Sequence, residues 1–260
     1  MNFIIDIFNT ILYRPLLNTL VILYQLMPGH DFGVAVILLT ILTRLIIYPL
    51  MAQSLRSQKV LTKLQPKIRE LQVKHKNDKE KQAKELISLY QKEKINPLGG
   101  FLPLLIQFPI LIALYQVFWK GLRPESITNL YSFVSQPGII KPTFLGLINL
   151  SQASLILAVL AGITQFFQSK KNISQVQSKD PEGKQSSSGA DKPETGQAKK
   201  QNQTPRFSNI LQKQMLYFFP IFTVFILWKL PAAIALYWIT TSLFSLVQQY
   251  FIFKPSSEKT

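Results

Sequence analysis

The chain contains no cysteine. That excludes disulfides, zinc–thiolate centres and a cysteine-linked lipid. Its two histidines, His30 and His75, lie far apart in sequence, and neither joins a metal-ligand or Ser/His/Asp pattern. Acidic residues are scarce too, 13 against 29 Lys and Arg, which leaves a net charge of +16. No paired-carboxylate constellation suited to acid–base work stands out, and there is no Gly-rich phosphate loop. An enzyme therefore lacks a candidate site, and no metal or cofactor is expected. The opening stretch "MNFIIDIFNT" has no basic n-region and no A-x-A site, so a cleavable signal peptide is not expected.

What is abundant is apolar sequence, and it is segregated from the charge. Hydrophobic residues make up 47% of the chain, in runs near twenty residues that alternate with basic, polar stretches. This is the pattern of a multi-pass, all-α membrane protein. Five spans are predicted, at about 33–50, 101–119, 144–168, 214–229 and 232–252. Residues 1–30 form an N-terminal segment and turn. Asp6, Asn9, Arg14, Pro15 and Asn18 interrupt its apolar run, which favours an amphipathic helix lying in the membrane interface over a costly span. In the "PGHDFG" turn, Asp31 is placed to cap the next helix.

Residues 52–95 read as a helical hairpin. Leu61, Leu64, Ile68 and Leu71 form one apolar stripe, and Leu86, Leu89 and Tyr90 form a second to meet it. Two solvated helices lying on the membrane surface are the alternative. Residues 170–206, rich in Lys, Gln, Ser, Gly and Pro, read as a disordered basic loop, and 254–260 as a short tail. The 51–100 stretch, the 169–213 stretch and the tail hold twelve, nine and two basic residues, 23 of the 29. With five spans these three segments fall on one side, which is then cytoplasmic, with the N-terminus outside. The charge is thereby accounted for without specific nucleic-acid binding. The fourth span is short. Lys213 and Lys229 bracket fifteen residues, roughly 22 Å of helix against a hydrocarbon core of about 30 Å. Local thinning of the bilayer and snorkelling of the two lysines both meet that shortfall.

One residue fits poorly in oil. Arg44 sits inside "LLTILTRLIIYPL", where an arginine costs at least about 2.5 kcal/mol on insertion scales. Two readings stand. Arg44 is about six residues from the cytoplasmic end, or roughly 9 Å of helix, within reach of snorkelling. Alternatively it faces a wet cavity lined by other intramembrane polar residues: Thr40 one turn away, Gln107, Gln165, Tyr237, Thr240 and Thr241. No span contains Asp or Glu, so a partner for Arg44 would come from outside the chain.

Long, ordered strings carry a resemblance: "PGHDFG", "LTRLIIYPL", "KLQPKIRELQ", "NPLGGFLPLLIQFPILIALY", "LAGITQFFQ", "QKQMLYFFPIF" and "LPAAIALYWITTSLFSLVQQYFI". They are spread from about Pro28 to Phe253, almost the whole chain except the 170–206 loop, and over that range the sequence resembles the YidC/Oxa family of membrane protein insertases. The resemblance implies a non-enzymatic insertase or chaperone of the bacterial cell (inner) membrane. Its five-helix core would enclose a hydrophilic groove open to the cytoplasm and to lipid. Arg44 would attract acidic or polar tail groups there. Thr40, Gln165, Tyr237 and Trp238 would line the groove, joined by Gln107 on the polar-cavity reading above, and the 52–95 hairpin would meet partners. Expected partners are nascent or newly made membrane proteins and the bilayer, with the ribosome and a Sec-type translocon as further candidates. The chain looks like a minimal form without a large external domain. Its short tail weakens the case for tail-mediated ribosome docking. A channel or transporter with Arg44 as an anion site is the competing class, but neither internal repeats nor paired broken helices are visible.

Overall fold

The chain opens with helix. In the computed structural model, which describes residues 2–93, 102–120, 129–177 and 216–253, α1 (Asn2–Phe8) passes through a π-helical turn (Asn9–Tyr13) into α2 (Arg14–Leu26). Pro15 has no N–H to close an α-turn onto the preceding backbone, and the π-turn falls just before it. The exposed residues Phe3, Ile4 and Ile5 leave α1 largely uncovered, whereas Leu17, Leu20, Val21 and Tyr24 bury α2 in the core.

A turn at Pro28–His30 follows, with Gly29 in the left-handed region at φ 75°. Asp31 then caps α3 (Phe32–Ile46), its Oδ1 accepting the Val34 N–H at 2.9 Å, as the sequence predicts. The helical run expected over 33–50 does not continue straight. It breaks at Ile47 and resumes as α4 (Tyr48–Lys74), bent by 63°. Pro49 is the physical cause: without an N–H it cannot bond the Leu45 carbonyl, so it starts a new helix more readily than it extends an old one. After a turn, Asp78 caps α5 (Lys79–Lys92), which folds back on α4. Leu64 and Ile68 are buried, and Leu61, Leu71, Leu86, Leu89 and Tyr90 are half-buried. Gln82 donates to the Gln72 carbonyl at 3.1 Å, and Lys67 pairs with Glu93 at 3.3 Å. Residues 94 and 95, the far end of the expected 52–95 segment, lie outside the described residues.

α6 (Leu102–Lys120) carries Pro109 in its interior. The third predicted span needs correction at both ends. Residues 144–154 are not helical. Thr143–Phe144 (β1) and Ile148–Asn149 (β2) pair antiparallel, joined by Leu145 and Gly146 at φ 52° and 69°. α7 runs Leu155–Gln177, so residues 170–177, expected in the disordered loop, continue the helix. Lys171 holds that extension: its Nζ donates to the Leu246 carbonyl at 3.1 Å and lies 5.5 Å from the Tyr250 ring centroid. Residues 178–206 of the expected loop, residues 214 and 215 of the expected fourth span and the whole tail fall outside the described residues. α8 is described over Leu216–Leu227 and α9 over Ala232–Phe253.

α9 is the hub. α3, α4, α6 and α7 all pack on it. Its buried Ala232, Ala233 and Ala235, with Ala158 and Ala161 on α7, keep the side chains between the helices small, so the backbones come close. Over the end of the bundle where α3 and α9 begin lies a cap of residues 129–152. Asn18 bonds it on both sides, donating to the Asn129 carbonyl at 3.1 Å and accepting the Tyr131 N–H at 2.7 Å. Gln25 donates to the Ser135 carbonyl, and Tyr24 Oη accepts the Lys141 N–H. The first turn of α9 is fixed by Ala232 and Ala233 N–H donating to the Gln152 and Leu150 carbonyls at 2.8 and 3.0 Å.

By length and composition, Phe3–Leu26 could cross a membrane, and so could Phe32–Ile46 with Tyr48–Leu61 taken as one bent span. Leu105–Trp119 and Leu216–Leu227 are shorter apolar helices.

Candidate functional site

Arg44 lies one turn before the α3–α4 break and is 7% exposed. Its Nη2 donates to Gln107 Oε1 on α6 at 2.7 Å. Gln107 Nε2 in turn donates to the Tyr237 hydroxyl on α9. Three helices thus meet through one chain of polar groups, guanidinium to amide to phenol. The acceptors are neutral. α3, α6, α7, α8 and α9 contain no Asp or Glu, and the ion pairs Lys67–Glu93 and Glu80–Lys84 lie in the α4–α5 hairpin. A buried cation bonded to neutral oxygens keeps most of its charge uncompensated.

Thr40, one turn from Arg44, is buried, and its hydroxyl donates to the Val36 carbonyl of its own helix at 2.6 Å. Gln165 and Trp238 form a separate pair, with Trp238 Nε1 donating to Gln165 Oε1 at 2.7 Å. The six sequence-predicted residues therefore fall into two bonded groups plus Thr40. The adjacent α9 residues Tyr237 and Trp238 turn to opposite neighbours, α6 and α7.

Residues 22–259 match the family described as 60Kd inner membrane protein. A protein named membrane protein insertase YidC from Fusobacterium nucleatum is 32% identical over 224 residues, 86% of this chain and 87% of that one. Proteins of the same name from Magnetococcus marinus and Wigglesworthia glossinidia are 33% and 32% identical over 86% and 93% of this chain. This chain belongs to the YidC/Oxa family. Its relatives differ in length: the chain spans 33% of the Magnetococcus protein and 36% of the Wigglesworthia one.

Within this YidC/Oxa chain, sequence reading missed most of a polar seam on α9. Below Tyr237 it buries Thr241, Ser242, Ser245, Gln248 and Gln249, and Ser54 of α4 is buried as well. Thr241 Oγ1, Ser242 Oγ and Gln249 Oε1 are buried without a hydrogen-bond partner among the described residues. Gln248 Nε2 reaches the Tyr48 carbonyl at the start of α4, at 3.4 Å. The signal was available: 237, 241 and 245 recur every four residues and 248 three further on, which sets them along one helical face.

Proposed function

We propose that this chain is a non-enzymatic membrane protein insertase of the bacterial inner membrane. It receives apolar segments of newly made membrane proteins in a hydrophilic intramembrane groove and releases them sideways into lipid. The observation that carries this reading is Arg44, buried and bonded to the neutral Gln107 amide oxygen, with no Asp or Glu on α3, α6 or α9. Such a cation offers an acidic or polar tail a temporary site. The tail's barrier is desolvation, and polar side chains part-way across shorten the dry path. The groove is lined by Arg44, Thr40, Gln107, Gln165, Tyr237 and Trp238, and the α9 seam extends it toward the cytoplasm. Burial of the incoming segment's apolar area in lipid then drives release. Five spans make the core, α4 and α5 form a cytoplasmic hairpin, and the N-terminus lies outside. The ribosome and a Sec-type translocon are partners that the basic hairpin suits.

The test is insertion into liposomes by the purified chain, using single-span substrates whose short N-terminal tails are acidic or neutral. Arg44→Ala removes a charge-assisted contact worth about 1.5–3 kcal/mol. It should lower insertion of the acidic tail about tenfold or more and leave the neutral tail close to wild type. Equal insertion of both tails by Arg44→Ala would remove the charge from the mechanism.

A further inference from the structure

The middle member of the polar chain is the least buried. Arg44 is 7% exposed and Tyr237 2%, whereas Gln107 between them is only half-buried. Of the three, Gln107 is thus the one that reaches nearest the bundle's surface while holding Arg44. Its neighbours on α6 face outward, with Leu105 and Phe108 both exposed. Its amide is used at both ends. The oxygen accepts from Arg44 and the nitrogen donates to Tyr237.

The helix that carries Gln107 is weakened at that point. Pro109 sits inside α6, two residues further on, and Pro103 lies four residues before. Pro109 cannot close a bond onto the Leu105 carbonyl, so the turn holding Gln107 lacks a backbone constraint that an ordinary helix has.

A neutral amide is also a weak partner for a guanidinium. A carboxylate accepts two parallel N–H bonds from arginine, and charge-assisted bonds are roughly twice as strong as neutral ones. An incoming carboxylate therefore outcompetes Gln107 for Arg44. A neutral group of the same kind gains little by the exchange, since it replaces one amide with another.

We propose that Gln107 is a displaceable gate on Arg44. In the empty state its amide occupies the guanidinium and ties it to Tyr237. An acidic tail displaces it, and α6 yields at its proline-flanked turn. Gln107 is thus a specificity-determining residue that sets how strongly an arriving group must be charged to reach Arg44. This inference rests on the reading of Arg44 as the acceptor of acidic tails, but the gate itself can be read without any insertion assay.

Phenylglyoxal modifies arginine side chains, and its rate at Arg44 against the exposed Arg56 of the same chain is followed by peptide mass spectrometry. The full chain is used in lipid nanodiscs. Gln107→Ala should raise the Arg44-to-Arg56 rate ratio several-fold, and the near-isosteric Gln107→Leu, which keeps bulk but loses both hydrogen bonds, should raise it less. Gln107→Glu places a permanent carboxylate on Arg44. It should lower the ratio and, in liposomes, raise the neutral-to-acidic insertion ratio several-fold. An unchanged labelling ratio in Gln107→Ala overturns the gate, as does Gln107→Glu inserting acidic tails as well as wild type while Arg44→Ala does not. If labelling responds as expected but Arg44→Ala inserts acidic tails normally, the gate stands and the acceptor reading of Arg44 is what fails.

Discussion

Asn18 shows how much a single buried polar side chain can hold. It is 2% exposed, and it satisfies the Asn129 carbonyl and the Tyr131 N–H of the cap while its own amide also reaches the Arg14 carbonyl at 2.7 Å. Arg14 adds a second tie, its guanidinium carbon 5.4 Å from the Tyr131 ring centroid. Asn18→Ala strands a backbone donor and an acceptor under the cap. An unsatisfied buried group costs about 1–3 kcal/mol, so thermal unfolding in detergent should move down by several degrees. Asn18→Asp keeps the acceptor for Tyr131 but loses the donor to Asn129, and should fall between wild type and Asn18→Ala. Equal melting of all three variants would mean that the cap is held by its apolar contacts alone. Arg44 is the contrasting case, since its hydrogen bond to an amide on another helix brings no opposite charge to it.

Helices here are fixed by the residues that cannot be larger. Gly162 on α7 faces α8 so closely that a Cβ would lie 2.3 Å from Val224 Cγ2 and 3.2 Å from the Pro220 carbonyl. Two effects of Gly162→Ala oppose each other. Helix propensity favours alanine by about 1 kcal/mol, and overpacking costs about 1–3 kcal/mol. Val224 is β-branched and stiff at χ1, so its Cγ2 at 2.3 Å cannot easily turn away; the second effect should win and the variant should melt lower. Val224→Ala removes the nearer atom, and in that background Gly162→Ala should become neutral or stabilising. The same loss in both backgrounds would assign the effect to something other than this contact.

What could be read at this scale from sequence follows the range of the forces involved. Asp31 caps α3, and Leu64 and Ile68 are buried on the face their spacing assigns, because both outcomes depend on neighbours one turn away. The break at Ile47 had a visible local cause in Pro49. Residues 144–154 misled because "FLGLINL" is as apolar as a span. What makes it a hairpin is the pair Leu145 and Gly146 at positive φ, together with Leu150 N–H bonding the Pro142 carbonyl at 2.7 Å and its carbonyl taking the Ala233 N–H. Of the candidate site, the residue types were legible, but their division into an Arg44–Gln107–Tyr237 chain and a Gln165–Trp238 pair was not. It depends on how three helices rotate about α9, and one sequence does not encode that in any short window.

The whole molecule wears its apolar side chains outward. Leu105, Phe108, Ile112, Ile156, Phe222 and Val247, from four helices, are all exposed, which a protein surrounded by water rarely tolerates at this scale. Lipid is the surroundings that suit them, and orientation then follows from charge. The α4–α5 region is strongly basic and the 129–152 cap is not, so the arrangement proposed above puts the first in the cytoplasm and the second outside. The absence of cysteine makes this directly measurable by single substitutions. Ile139→Cys in the cap (92% exposed) should react with a membrane-impermeant maleimide on intact cells, and Val73→Cys on α4 (75% exposed) only after the membrane is opened. Labelling of both from the same side would sink the five-span arrangement. Phe3→Cys decides the remaining segment. Gln25 and Tyr24, at the far end of α2, bond the cap, so that end goes wherever the cap goes, which is outside in the proposed arrangement. If residues 1–30 lie in the outer interface, Phe3→Cys labels on intact cells. If Phe3–Leu26 crosses the membrane, position 3 is cytoplasmic and the chain has a sixth span. Interfacial placement is the expected outcome, because Asp6, Asn9 and Arg14 would otherwise have to lie within hydrocarbon without a paired charge.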